Sequence, residues 1–273
     1  MSGVPPVPAT QTLTSIGHPR LHLRRTGSTN ERARELAFLG APQGTLVTAS
    51  EQTAGRGRQG RRWSAPAGSA LLMSLLLRDA PPLLPLIAAV AVCDVAGAQA
   101  RIKWPNDVVV ASSPEGELAG GGARPGLAKL AGILVEGRPQ EGWAVLGIGV
   151  NVAVRLDQLP AELRPRTASA TGAAIRAPAD SGLPAATLGL EPADVEPTLA
   201  RLISALDRRL AEPADGTLEA WRARDALRGR EVTWGQGRGR ADGIDGDGRL
   251  VISMKGGGRT ALGAGEVHLL HVG

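Results

Sequence analysis

The stretch Glu51-Gln-Thr-Ala-Gly-Arg-Gly-Arg-Gln-Gly-Arg-Arg-Trp63 carries more information than any other in this chain. It sets glycines at 55, 57 and 60 among arginines at 56, 58, 61 and 62. Glycine takes positive φ and lets the backbone come close to a ligand. Arginine presents a planar fork of donors that matches carboxylate and phosphate oxygens. A loop of this kind can close over a phosphorylated, negatively charged small molecule. Two plainer readings compete with that one: a solvated basic loop, or an Arg-Gly segment that touches nucleic acid without sequence preference.

Two later segments tip the balance. Lys103-Trp-Pro-Asn-Asp107 follows an apolar, helix-like run and precedes Val108-Val-Val-Ala111. Pro105 interrupts strand hydrogen bonding, so a Lys, an Asn and an Asp gather at one strand break. Lys129-Leu-Ala-Gly-Ile-Leu-Val-Glu136 reads as a buried strand with a lysine at its entrance and Gly132 inside. A glycine within a strand often marks close approach of a ligand or another backbone. One Lys or Asp at a strand end is ordinarily surface decoration. Three such segments in one chain point to an anion site.

Together these residues resemble the biotin protein ligase family. The matching elements are Ser28-Thr-Asn30, Glu51-Gln52, Gly55-Arg-Gly-Arg-Gln-Gly60, Trp63, Lys103–Asp107, Lys129–Glu136 and Gly147-Ile-Gly-Val-Asn151, in the family's order. The resemblance implies an α+β fold. A mixed β-sheet catalytic domain flanked by helices, like that of class II aminoacyl-tRNA synthetases, would precede a small C-terminal SH3-like β-barrel. The expected division is a flexible leader over 1–18, the catalytic domain over 19–226 and the barrel over 227–273. Family members with an N-terminal winged helix-turn-helix also act as repressors. Ser28 comes early for such a module, so the monofunctional type without specific DNA binding is expected.

The implied activity has a chemical logic. A lysine amine cannot expel oxide from a carboxylate, so the acid is first joined to AMP as a mixed anhydride, with pyrophosphate leaving. The amine of a carrier lysine then displaces AMP. Such chemistry rests on positioning and on cations around phosphate oxygens. By resemblance, Arg56 and Lys129 hold the biotin carboxylate against the α-phosphate of ATP, and Arg58 and Lys103 favour the β- and γ-phosphates. Asp107 lies where the incoming amine is positioned, as base or as orienting acceptor; the plainer reading is a turn aspartate. Ser28, Thr29 and Asn30 sit beside the biotin head, with Gln52, Gly55 and Gly57 nearby. Gly132 and Gly149 let strands approach the bicyclic ring. Trp63, Asn106 and Asn151 serve the nucleotide, though Trp63 also reads as an ordinary core tryptophan. Mg²⁺ is expected with ATP, bound mainly through phosphates. The implied partner is the biotin carboxyl carrier protein of acetyl-CoA carboxylase. A homodimer through the catalytic sheet is one of two family arrangements, monomers being the other.

Composition agrees without deciding. The 273 residues are 42% hydrophobic, enough for a real core, with a formal charge of +5. That mild excess suits nucleotide and an acidic partner, and does not demand nucleic acid. With one Phe, no Tyr and five Trp, the core must come from Leu, Val, Ile and Ala. The single cysteine, Cys93, excludes internal disulfides and multi-cysteine metal sites and favours a reducing, cytoplasmic setting. The apolar run Leu83 to Ala98 contains Pro85 and Asp94 and reads as a buried core helix, not a membrane span.

Ser28-Thr-Asn-Glu31 has the spacing of a capping box and starts a helix that stops at Gly40. Strands are expected at 45–50, 70–77, 101–104, 108–111, 129–136 and 143–152, covered on one face. Helices are expected at 83–99, 192–210 and 218–225. Residues 112–128 read as an exposed hairpin insertion. Short β-runs at 230–234, 238–244, 249–254 and 267–270 surround a tight turn at Asp245-Gly-Asp-Gly248. The 55–60 loop is expected to be mobile without ligand and to order on the adenylate. A lipoate or octanoate transferase of the same broad fold is the enzymatic alternative; a non-catalytic nucleic-acid binder is the other.

Overall fold

The computed structural model describes residues 16–112, 126–138, 142–159, 164, 183–235, 237–263, 265 and 267–269. Most of the expected leader, and residues 113–125 of the expected insertion, lie outside these. Along the chain come β1 (Arg20–Leu23), α1 (Thr29–Phe38), β2 (Leu46–Ala49), β3 (Gly55–Arg56), β4 (Arg62–Trp63), β5 (Ala70–Arg78) and α2 (Leu84–Ala96). Then follow β6 (Arg101–Lys103), β7 (Asp107–Ser112), β8 (Gly126–Arg138), β9 (Trp143–Asn151), α3 (Val195–Leu210) and α4 (Ala214–Arg222).

Seven strands form one mixed sheet in the order β1-β2-β5-β9-β8-β7-β6. Only β1 and β2 run parallel; the other neighbours are antiparallel. The period-two pattern of β5 sorts its residues by face. Leu71, Met73, Leu75 and Leu77 join the large core with α2, whereas Leu76 joins a second cluster under α1. Helix α2 is buried nearly all round and packs on α3, α4 and β8. Its one carboxylate, Asp94, is held by Arg208, Arg209 and Arg224 at 2.9, 2.8 and 3.4 Å, so an apolar helix carries a charge without burying it unpaired. No helix among the described residues is long and apolar enough to cross a membrane.

The expectation of one covered face needs correction. Helix α1 lies on the opposite face, packing Ala33 and Ala37 against Val47, Leu76, Trp143 and Val145. Small side chains let it sit close over β2, β5 and β9. The rest of that face carries the site.

One irregularity positions the site. Val108 pairs with Ala131 and Val109 with Lys129, which leaves Leu130 as an extra residue in β8. This bulge flips the alternation. Ala128 and Leu130 face the α2 core before it, and Ala131 and Ile133 after it. Lys129 and Gly132, three apart, therefore share the face opposite the core, where a regular strand would oppose them.

The last strands, β10 (Glu231–Trp234), β11 (Gly237–Ile244), β12 (Leu250–Ser253), β13 (Arg259–Leu262) and β14 (His268–Leu269), form an antiparallel sheet in the order β13-β12-β11-β10-β14. This arrangement fits an SH3-like unit. Closure into a barrel is not present among the described residues, where β13 and β14 end the row. Asp245 Oδ1 accepts the backbone N–H of Asp247 and of Arg249 at 3.0 and 2.9 Å, which makes the expected tight turn. That turn docks on the larger unit: Trp104 Nε1 donates to Gly248 O at 3.1 Å. Val232, Ile244, Leu250 and Ile252 continue the core that α2 begins.

Four features went unforeseen. Edge strand β1 and strand β13 are short and half exposed, and β3 with β4 forms a two-stranded ribbon inside the Arg-Gly loop. Helix α4 also starts at Ala214, ahead of the expected Leu218.

Candidate active site

A cavity of about 270 Å³ opens where the outer face of β5, β8 and β9 meets the start of α1 and the β3–β4 ribbon. Its polar end is built on α1. The expected capping box is absent: Ser28 is the N-cap in extended conformation but makes no side-chain cap bond. Gln52 takes that role from another loop. Its Oε1 accepts both the backbone N–H of Thr29 at 2.7 Å and the Thr29 hydroxyl at 3.0 Å. Ser28 also lines the cavity.

Ser74, fully buried on β5, joins this end from below. Its hydroxyl lies 2.8 Å from Thr29 Oγ1 and 2.6 Å from Asn30 Oδ1. The Asn30 amide nitrogen donates to Glu136 Oε2 at 2.9 Å. Asn30 lines the cavity, yet both ends of its amide are engaged by protein. Gly147 makes room for it: a Cβ there would sit 2.0 Å from Asn30 Oδ1.

The other end is cationic. Lys129 Nζ pairs with Asp107 Oδ1 at 2.6 Å, and both line the cavity with Arg56, Arg58 and Arg61. Burial holds Lys103 below the usual lysine range; Asp107 opposes this, while Lys129, Arg61 and Arg58 deepen it. Burial likewise lowers Arg58, with Asp107 opposing and Arg61 reinforcing. Five cations, Arg56, Arg58, Arg61, Arg62 and Lys129, thus line the cavity against Asp107, the one carboxylate among the described residues that line it. Such crowding of like charge is relieved by an anion. Lys103 stands behind this wall and does not itself line the cavity. Arg58 also reaches the C-terminal sheet, donating to Gly265 O at 3.3 Å. Asn106 lines the cavity but ties the break to β8, donating to Ile133 O at 2.8 Å while Ile133 N–H donates back at 3.0 Å.

The Trp63 indole is the neighbour of both strand glycines. A Cβ on Gly149 would meet its Cε2 at 2.6 Å, and one on Gly132 its Cζ3 at 3.0 Å. Lys129 Nζ lies 5.6 Å from the ring centroid, within cation–π range. Trp63 Nε1 is buried without a hydrogen-bond partner among the described residues, a donor suited to an acceptor entering the cavity. Asn151 lines the cavity while donating to Ala186 O at 2.8 Å. Gly57 lines it too, but Gly55 does not; a Cβ there would strike Trp63 O at 2.4 Å across the ribbon.

Sequence reasoning missed Ser74, Arg61 and the use of Glu136. Ser74 carried a signal, as the one polar residue inside the apolar run Ala70–Leu77. Cys93 plays no part: burial pushes its thiol up to about 12.

Comparison with known proteins agrees with this geometry. Residues 22–152 match the model of the Biotin/lipoate A/B protein ligase family. The biotin--[acetyl-CoA-carboxylase] ligase of Mycobacterium tuberculosis is 35% identical over 266 residues, covering 89% of this chain and 86% of that relative. The bifunctional ligase/repressor BirA of Bacillus spizizenii is 42% identical over 149 residues, 50% of this chain. The chain spans 41% and 44% of the length of the two Bacillus BirA relatives it matches. Among solved structures, the biotin protein ligase from Aquifex aeolicus in complex with biotin and ATP shares the fold. It has a TM-score of 0.66 and 23% identity, over 92% of this chain and 98% of that one. A relative matched along nearly its whole length, and a family model lying across the sheet, ribbon and cavity, place this chain in the biotin protein ligase family.

Proposed function

We propose that this protein activates biotin with ATP to biotinyl-5′-AMP and transfers biotin to a lysine of the biotin carboxyl carrier protein of acetyl-CoA carboxylase. The observation that carries this reading is one cavity with two chemically distinct ends. A donor-and-acceptor end built by Ser28, Thr29 and Gln52 suits a ureido group. A cationic end built by Arg56, Arg58, Arg61 and Lys129 suits a carboxylate and phosphates. The naming of the Mycobacterium relative as a biotin--[acetyl-CoA-carboxylase] ligase supports the same reading.

In this reading Lys129, oriented by Asp107, meets the carboxylate and α-phosphate together with Arg56. Arg58, with Lys103 behind it, meets the leaving pyrophosphate. The carboxylate oxygen attacks the α-phosphorus, the bond to the β-phosphate oxygen breaks, and pyrophosphate departs. The carrier amine then attacks the anhydride carbonyl and AMP leaves. Trp63 covers the cavity, and its indole N–H offers a donor. Mg²⁺ would arrive with ATP on phosphate oxygens, since Asp107 is engaged by Lys129 and no cluster of three metal-binding side chains occurs among the described residues. We place the reaction in the cytoplasm and assign no operator DNA.

Pyrophosphate exchange into ATP, run with biotin and in parallel with lipoate, tests the proposal. Exchange with biotin, and a protein-bound species of the mass of biotinyl-AMP, is expected. Exchange with lipoate alone would transfer the chain to the other branch of its family. Steeply salt-dependent nucleic-acid binding with no exchange would remove it from catalysis altogether.

A further inference from the structure

Glu136 ends the Lys129–Glu136 segment, and no step above uses it. Its carboxylate lies between three groups. Oε2 accepts from Asn30 Nδ2 at 2.9 Å. Oε1 lies 3.4 Å from Arg56 Nη1 and 3.7 Å from Arg34 Nη1. Glu136 is one-fifth exposed and Arg56 about half exposed, at 20% and 47% of their side chains. Arg56 therefore reaches from the more exposed side of the pair to the more buried side. The anchor is firm, because Asn30 is clasped by Ser74 and seated in the notch at Gly147. A continuous polar chain results: Gln52, Thr29, Ser74, Asn30, Glu136, Arg56. It starts at the floor of the cavity and ends on the ribbon that covers it.

We propose that Glu136 is a positioning residue that holds Arg56, and with it the 55–63 ribbon, against the cavity mouth before ligand binds. The entering carboxylate and phosphate then replace Glu136 as the partners of Arg56. Such an exchange costs little when one anion is traded for another on the same guanidinium. Arg34, on α1, stays beside Glu136 throughout and keeps the released carboxylate compensated. The inference rests on the lid role given to Arg56 above, but its first test needs neither biotin nor ATP, so the two fail separately.

Hydrogen exchange of the backbone amides of residues 54–63 reads the pair directly. Glu136→Gln keeps an acceptor for Asn30 and removes the charge. Its unliganded ribbon should exchange about five-fold faster than the parent's, the size expected of a partly exposed ion pair. Glu136→Asp should restore most of the protection. Arg56→Gln should loosen the ribbon equally, and Glu136→Gln should add nothing in that background. In the presence of biotin and ATP, Glu136→Gln and parent ribbons should be equally protected. Equal exchange of the unliganded parent and Glu136→Gln would overturn the proposal. So would additive effects of the two changes, or faster exchange spread over the whole chain. If Glu136→Gln fails to fold, the Arg56→Gln comparison decides: an unchanged unliganded ribbon there also overturns it.

Discussion

Replacing Gly147 with alanine tests the polar chain at its tightest point. The new methyl would lie 2.0 Å from Asn30 Oδ1, 2.8 Å from its Cγ and 2.9 Å from Nδ2, all inside the 3.0 Å that real Cβ contacts respect. The backbone is not the obstacle, since Gly147 is not among the positive-φ glycines. Asn30 is the obstacle, and it has nowhere to go. Ser74 holds its oxygen, Glu136 holds its nitrogen, and α1 fixes its backbone. Forcing the methyl in costs about 1–3 kcal/mol as overpacking. Swinging Asn30 out instead gives up its bonds to Ser74 and Glu136, at about 1–3 kcal/mol for the two, and leaves the Ser74 hydroxyl only Thr29 Oγ1. A loss of about 2 kcal/mol is the central expectation, which lowers Tm by roughly 4–8 °C in a protein of this size. Scanning calorimetry of the unliganded protein measures it. Gly149→Ala is the control: its methyl would strike Trp63 at 2.6 Å, but that ring is only partly buried and can move. It should melt closer to the parent while weakening ligand binding. A Gly147→Ala protein melting within about 2 °C of the parent, with Asn30 in place in its crystal structure, would refute the reasoning.

Three further outcomes are expected. Lys129→Ala should lower adenylate formation by about 10²- to 10³-fold, as loss of one preorganised donor does; normal pyrophosphate release would remove Lys129 from the essential groups. Arg56→Gly should keep the fold but shed the adenylate about 10- to 100-fold faster, since a charged hydrogen bond is lost. Promiscuous lysine biotinylation of bystander proteins should follow, and a half-life of the bound intermediate equal to the parent's would contradict this. Lys103 titrates below 10.5 because burial and neighbouring cations disfavour its charge. An anion in the cavity favours the charged form and raises that pKa, so between the two values pyrophosphate binding takes up protons. Calorimetry in buffers of differing ionisation heat should find proton uptake that vanishes in Lys103→Met; proton release would reverse the sign of the argument.

Much of this was readable along the chain because its signals are local. The Arg-Gly loop, the Lys103–Asp107 break and the strands at 70–77, 129–136 and 143–152 all announce themselves within a few residues. What could not be read is who meets whom. Gly132 and Gly149 announced a close approach, but only the fold names Trp63 as the neighbour. Gln52 caps Thr29 from 23 residues away, which no capping pattern encodes. The Leu130 bulge depends on pairing with β7, so the shared face of Lys129 and Gly132 had no sequence period to reveal it. Strand β1, Arg20-Leu-His-Leu23, lies at the sheet edge and has four residues, too few for its alternation to stand out in the sequence.

The central claim is that Arg56 and Lys129 converge on one carboxylate beside a nucleotide phosphate. A crystal structure of the protein grown with biotin and ATP tests it most directly. The account predicts the activated carboxyl and the α-phosphate within hydrogen-bonding reach of both side chains, with the ureido group against Ser28, Thr29 or Gln52. Ligands bound away from residues 52–58 and Lys129 would contradict it.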